Sequence, residues 1–292
     1  MNLLQNDRLR LYLGAVLISF SPVFVSLVDV TPTVSAFYRV FIGGVILTLY
    51  LFISKRRFNF IKNTWFFLFM ASLFFAADLW FWHRSVIYIG PGLSTLLANM
   101  QVFMMMLAGI FLYKQIPTRV QLFSIPTAII GLFMIVGLDW DELKPNYQLG
   151  IIFGLLTAIC YSSYLISMRQ AQQRSITVIP IKEVAMMSLM VSIILAITAF
   201  SENESLMISE INDYLILFLY GAGSHAIGGI LIASALVRVS TTEVGIALLL
   251  QPTLSFIWEI IFFNRSFSIA ESIGVVIVLY SIFLSSSRAT RS

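Results

Sequence analysis

Asp78 and Trp82 stand four residues apart in the stretch LFFAADLWFW, residues 73–82, in which every other side chain is apolar. On a helix that spacing puts both on one face, so a carboxylate has an aromatic wall beside it. A second charge, Arg39, interrupts another apolar run. A lone charge in hydrocarbon costs at least about 2.5–3.5 kcal/mol, so both groups must face protein or water. Counted inward from Val86 and from Thr33, helical rise puts Asp78 on the order of 12 Å below the end of its helix and Arg39 at a similar depth. The two can therefore pair. Paired, they neutralise each other and fix adjacent helices. In the alternative, Asp78 binds a substrate amine or a proton while Arg39 restrains it, and Trp82 serves as a wall of the site rather than as part of an interfacial aromatic belt.

A second polar layer follows from the same depth counting. Asn99, Gln101 and Gln251 fall near mid-bilayer, where an amide can donate and accept hydrogen bonds without the cost of a buried charge. Gln101 and Gln251 read either as ligand-binding groups or as interhelical glue, and Asn99 is open between the same two roles. Tyr161 and Tyr164, three apart, offer rings and hydroxyls from one face. His225 lies among Gly221, Gly223, Gly228 and Gly229, either a neutral histidine bonded between helices or a proton-coupling group. Glu259, next to Trp258, is a snorkelling or vestibule carboxylate, or an acidic partner for a cation or for Arg39. Pro22 after Ser21 predicts a helix break, tolerated in a membrane only against protein or a water-filled cavity. Pro126 predicts a kink, and Gly150 with Gly154 predicts close helix packing.

The elements that must position these groups are apolar runs near the roughly 20 residues needed to cross a bilayer. They fall at about 9–28, 33–54, 64–86, 92–113, 119–138, 149–168, 183–200, 214–237, 243–263 and 269–287. Hydrophobic residues make up 59% of the chain and charged ones 11%, too little polar surface for a water-soluble fold. The short connections leave no room for a soluble domain. The first span follows Arg8 and Arg10 without a convincing cleavage site and reads as a retained helix. The single cysteine, Cys160, excludes an internal disulfide.

Lys and Arg set the orientation, because basic loops stay cytoplasmic. One side collects Arg8, Arg10, Lys55, Arg56, Arg57, Lys62, Lys114, Arg119, Arg169, Arg174, Lys182, Arg238, Arg288 and Arg291, while the other keeps Lys144 and Arg265. Acidic residues gather on that second side as Asp139, Asp141 and Glu142, then Glu202, Glu204, Glu210 and Asp213. Both termini are expected in the cytoplasm, and the net charge of +4 is a topological signature rather than a nucleic-acid surface.

A shift of about 150 residues lays the fourth span on the ninth and the fifth on the tenth, and brings Gln101 onto Gln251. A repeat unit with an odd number of spans must insert its second copy upside down, as inverted-repeat transporters do. The domains expected are 1–140, helices one to five, and 147–292, helices six to ten. Residues carried along the whole chain resemble the drug/metabolite transporter superfamily, and within it the EamA-type ten-helix carriers. They are Phe37-Tyr38-Arg39-Val40-Phe41 with the basic run Lys55-Arg56-Arg57, the turn from Trp82 to Leu97, its second copy from Ser234 to Gly245, and Gln251-Pro252. The chain departs from the family where the fourth and ninth helices often end in Gly-Glu, having Lys114-Gln115 and Asn264-Arg265 instead. The resemblance implies that helices one to four and six to nine surround a cavity, that five and ten pack outside it, and that small metabolites move outward.

An intramembrane hydrolase is disfavoured, because Ser224 and His225 are adjacent and point about 100° apart on a helix. No HExxH or clustered Cys/His supports a metal, and no cofactor is expected. The expectation is thus an all-α inner-membrane protein of ten transmembrane helices. It exports small organic metabolites, amino acids or related amines, by alternating access, as a monomer or homodimer, with protons as the candidate coupling ion. Gln101, Gln251, Asn99, Asp78, Trp82, Tyr161, Tyr164 and His225 are its candidate binding residues; Arg39, Asp78, Glu259 and His225 govern gating or coupling. An uncoupled facilitator is the alternative.

Overall fold

The structure, a computed structural model, describes residues 6–54, 64–114, 116–137, 143–173, 181–236 and 241–286. The basic run Lys55-Arg56-Arg57, Lys62, Arg174, Arg238, Arg288, Arg291 and the acidic group Asp139, Asp141 and Glu142 lie outside them, and of the motif from Ser234 to Gly245 only part is described. Every regular element among the described residues is a helix: α1 (Asp7–Ser19), α2 (Ser21–Leu27), α3 (Pro32–Ile53), α4 (Thr64–Ile89), α5 (Pro91–Asn99), α6 (Gln101–Tyr113), α7 (Arg119–Val136), α8 (Pro145–Gln173), α9 (Ile181–Ser201), α10 (Ile211–Leu219), a π-helical segment (Tyr220–Gly228), α11 (Gly229–Leu236), α12 (Thr241–Phe263) and α13 (Ile269–Ser286).

Among the described residues, eight helical runs are long and apolar enough to cross a bilayer, and the shorter apolar helices Ala247–Phe263 and Ile269–Ser285 complete ten. Three of the ten are interrupted: α1–α2, α5–α6, and α10 with the π segment and α11. Helix starts follow local chemistry. Proline opens α2, α3 and α5, where its missing N–H would be unpaired in any case. Thr118 and Gln121 form a capping box at α7, and Ser268 and Glu271 exchange the same pair of hydrogen bonds at α13.

The helices pack as two five-span halves related by exchange. Between the halves, α3 lies on α9, α5 on α12 and α7 on α13, so these pairs map onto themselves when the halves swap. The packing of α4 on α8 returns as the packing of α1 on α11. Likewise α3 against the π segment returns as α9 against α4, and α1 against α12 returns as α8 against α5 and α6. Ten helices in two inverted repeats are the architecture. Gly150 and Gly154 bring α8 against Ile89 of α4 and Leu97 of α5, as their spacing predicts.

The break at Pro22 is present: α1 stops at Ser19 and α2 starts at Ser21. Hydroxyls of the second repeat serve the carbonyls beside it, Ser224 Oγ donating to the Leu17 carbonyl at 2.7 Å and Ser255 Oγ to that of Ser19 at 3.4 Å. Backbone freed inside a membrane is satisfied by protein, as it must be. The π segment was not legible as such from its glycines. It packs against α3 where Gly43 leaves no side chain, and a Cβ there would strike the His225 ring. Gly43→Ala is expected to destabilise the protein by about 1–3 kcal/mol through overpacking, read as a lowered unfolding temperature in detergent.

Candidate functional site

Arg39 occupies the second turn of α3, six residues from Thr33 at its start. Its Nη1 donates to the Tyr220 hydroxyl at 3.0 Å, and the guanidinium carbon lies 5.1 Å from the Tyr220 ring centroid and 5.5 Å from that of Trp82. The hydroxyl is also 3.2 Å from His83 Nε2, while His83 Nδ1 is 2.7 Å from the Leu79 carbonyl. The carbonyl can only accept, so Nδ1 carries a proton. A neutral His83 then accepts at Nε2, and the chain runs Arg39 to Tyr220 to His83 to Leu79, every donor meeting an acceptor. Arg39 Nε is buried with no hydrogen-bond partner.

Asp78 is 5% exposed, and no ion pair within 4.0 Å joins it to Arg39. The pairing expected from depth alone is therefore one of neighbourhood: Arg39 turns its hydrogen bond to Tyr220, and the Asp78 carboxylate is left for another partner. Around it stand Phe75, one turn earlier on α4, and Tyr161 and Tyr164 of α8. The Phe75 and Tyr164 rings are 4.6 Å apart, and the two tyrosine rings 5.4 Å. His225 stacks on Phe75 at 6.3 Å and its Nε2 is 2.8 Å from Ser188 Oγ on α9. That contact binds the π segment to α9. Six of the residues singled out in the sequence, Arg39, Asp78, Trp82, Tyr161, Tyr164 and His225, thus surround one centre.

The amides are placed differently. Asn99 Nδ2 donates to the Thr95 carbonyl one turn back in its own helix, at 2.8 Å. Gln101 opens α6 just after the break at Met100, and its Oε1 is buried without a hydrogen-bond partner. Gln251 is half-buried on α12, with Ser255 Oγ donating to its backbone carbonyl at 2.8 Å. No hydrogen bond joins Gln101 to Gln251. Next to Asn99, Ala98 packs on the cluster that holds Trp82 and Tyr220, which carries the end of α5 to the aromatic centre.

Glu259 has neither a vestibule nor Arg39 beside it. It is 2% exposed, with Oε1 accepting from Arg265 Nη1 at 2.6 Å and Oε2 from the backbone N–H of Gly92 at 2.7 Å. Arg265 also donates to the Ile89 carbonyl at 2.9 Å. A carboxylate thus caps the start of α5, where helix N–H groups favour a negative charge. Gly90, at φ +88°, makes this turn, and a Cβ there would overlap the carboxylate. Burial works against the Arg265 charge, but the hydrogen bond and charge of Glu259 outweigh it and raise the guanidinium pKa above its ordinary value.

Sequence reasoning missed a second knot at the same end of the bundle. Glu202, just after α9, accepts from Thr33 Oγ1 at 2.6 Å, Trp80 Nε1 at 2.7 Å and Arg84 Nη2 at 2.9 Å. Arg84 lies 3.8 Å over the Trp80 ring and also donates to Thr33 Oγ1 at 3.0 Å. An arginine near the acidic end of its span was the available signal, since it needs an acidic partner there. Tyr220 was missed as well, lacking any charge to mark it. At the opposite end, Glu183 in the first turn of α9 is fully buried and lies 3.9 Å from Lys182.

A model of the EamA-like transporter family matches residues 9–137 and again residues 148–287. The chain belongs to the EamA-like transporter family. It is accordingly a multi-pass membrane protein of the transporter type. No curated protein sequence matches it. A solved chain described as "Crystal structure of protein" is 15% identical and superposes with a TM-score of 0.67, covering 96% of this chain and 96% of that one. That likeness is one of fold.

The Glu202 knot gives the EamA-like chain a pH signature. Burial works to raise the Glu202 carboxyl, but hydrogen bonds from Thr33 and Trp80, with the charge and hydrogen bond of Arg84, outweigh it and hold it below its ordinary 4.5. A depressed folded value stabilises the protein above the ordinary value and loses that contribution as pH falls through the depressed one. Glu202→Gln is expected to cost about 1–3 kcal/mol at pH 7. The difference in unfolding temperature from the parent should shrink as pH drops below 4.5.

Proposed function

We propose that the protein is a secondary transporter of the inner membrane, with both termini cytoplasmic, that exports amino acids or related amines by alternating access. The observation that carries the substrate class is a buried Asp78 carboxyl, joined by no ion pair to any described residue, at the level of an Arg39 guanidinium whose Nε has no acceptor. A zwitterion set between them gives its ammonium to Asp78 and its carboxylate to Arg39. Trp82, Tyr161 and Tyr164 supply ring faces for the remainder of the molecule, and the free Oε1 of Gln101 supplies one acceptor more. Gln251 and Asn99 complete the polar lining from the second repeat and from α5. The distribution of Lys and Arg supports the orientation.

In this mechanism the ligand enters between the halves from the cytoplasm and neutralises both charges. The halves then rock about it, and Glu259, held between repeats, braces the far side as it opens. Asp78 is the group that takes a proton when the ligand has left, and His225 holds the π segment in register with α9 through Ser188. An uncoupled facilitator uses the same lining without proton movement.

In proteoliposomes, Asp78→Asn is expected to lower counterflow of amino acids and of amines about tenfold or more, since each tenfold is only about 1.4 kcal/mol. Arg39→Gln should lower amino-acid counterflow similarly while sparing amines that lack a carboxylate. Downhill flux that ignores a pH gradient in the parent and in Asp78→Asn alike favours the facilitator. Thermal stabilisation of the purified protein by sugars or nucleotides alone would exclude this substrate class.

A further inference from the structure

The two knots at the end of the bundle away from the termini share one property: each joins one repeat to the other. Glu202 belongs to the second repeat, and its three donors, Thr33, Trp80 and Arg84, belong to the first. Glu259 and Arg265 belong to the second repeat and hold Gly92 and Ile89 of the first. Three further bonds at this end also cross. Thr31 Oγ1 donates to Glu204 at 2.6 Å, the Tyr38 hydroxyl to the Leu206 carbonyl at 2.8 Å, and the Asp29 N–H to Asp213 at 3.2 Å.

The position of the Glu202 knot relates it to the site below. Thr33 precedes Arg39 by six residues and Arg84 follows Asp78 by six, so the knot stands roughly 9 Å along the helices from both charges, on the side away from the termini. It roofs the centre lined by Arg39, Asp78, Trp82 and Tyr220. The halves cannot part at this end while one carboxylate holds α3 and α4 to the end of α9.

We propose that Glu202 and Arg84 are the gating residues of the far side: their bond closes the site there, and its rupture opens it. The proposal rests on the alternating-access reading of the protein. The two sides of the bond are unequal in a way that suits a gate. Arg84 is seated on the Trp80 ring and on the Trp80 carbonyl, 3.3 Å away, so the first-repeat side stays assembled when the carboxylate leaves. Glu202 gives up all three donors at once. Opening therefore releases a single carboxylate into water at the membrane surface, and reclosing finds its receptor already in place. The Glu259–Arg265 bond, its carboxylate more buried than Glu202 and braced by the α5 backbone, is the firmer edge about which this end swings.

Two measurements on the full-length protein in proteoliposomes test the assignment, both in a Cys160→Ala background. In the first, Ala98→Cys beneath the knot is labelled with a membrane-impermeant maleimide from the side away from the termini. Glu202→Gln and Arg84→Ala are each expected to speed labelling about tenfold through a shifted population, and the exchanged pair Glu202→Arg with Arg84→Glu to bring it back toward the parent rate. Labelling rates unchanged by both single variants would overturn the proposal, and this readout requires no knowledge of the substrate. In the second, Thr31→Cys and Glu204→Cys are bridged across the repeats by a short bis-methanethiosulfonate. Counterflow is expected to stop in the bridged protein and return on reduction. Full counterflow through the bridged protein would overturn the gate while leaving the transporter reading intact. Gated labelling with no counterflow of any amino acid or amine would overturn the substrate class and leave the gate standing.

Discussion

A charge placed within a bilayer has no water to turn to, so its partner must be supplied by the protein itself. Among the described residues several such partners come from the opposite repeat. Arg39 of the first half meets Tyr220 of the second, Arg84 meets Glu202, and the start of α5 meets Glu259. The halves are held together by polar contacts as much as by apolar packing. An apolar seam between helices in lipid gains little over contact with the lipid itself. Polar contacts, by contrast, can be exchanged for water or for a ligand when the seam opens.

Asp78 is the exception to that rule. It is buried on the helix turn next to Phe75, whose ring packs on Tyr164, and no ion pair joins it to Arg39. A buried charge left without close hydrogen bonds is costly, and a protein retains that cost where something else is to settle it. The aromatic walls have a matching role, since a ring face accepts an ammonium group while resisting water. The same reasoning separates His225 from Asp78: the imidazole is already bonded to Ser188 and ties two helices.

Much of this was legible in the sequence because hydropathy and helical spacing are local properties. Ten spans, two halves, the break at Pro22 and the shared face of Asp78 and Trp82 follow from runs and intervals of a few residues. Depth counting also placed Arg39 and Asp78 at one level. It could not say which way each side chain turns, so Tyr220, 181 residues from Arg39, went unseen, and Glu259 was not matched with Arg265. Gln101 and Gln251 align between the halves yet do not bond, because alignment of repeats fixes depth and not rotation about the helix axis. Glu202 looked like one more acidic loop residue, since nothing in its own neighbourhood announces donors that lie more than a hundred residues earlier in the chain.

The π-helical segment bears on motion in another way. A π turn carries one residue more than an α turn, so Tyr220–Gly228 holds slack within an otherwise continuous span. If that extra residue is passed along the helix, the stretch between its old and new positions turns by about 100° while both flanks keep their orientation. Tyr220 and His225 stand within this stretch, one bonded toward Arg39 and the other toward Ser188. The span can thus act as a swivel rather than a rod, turning one of these contacts away while the other keeps its grip.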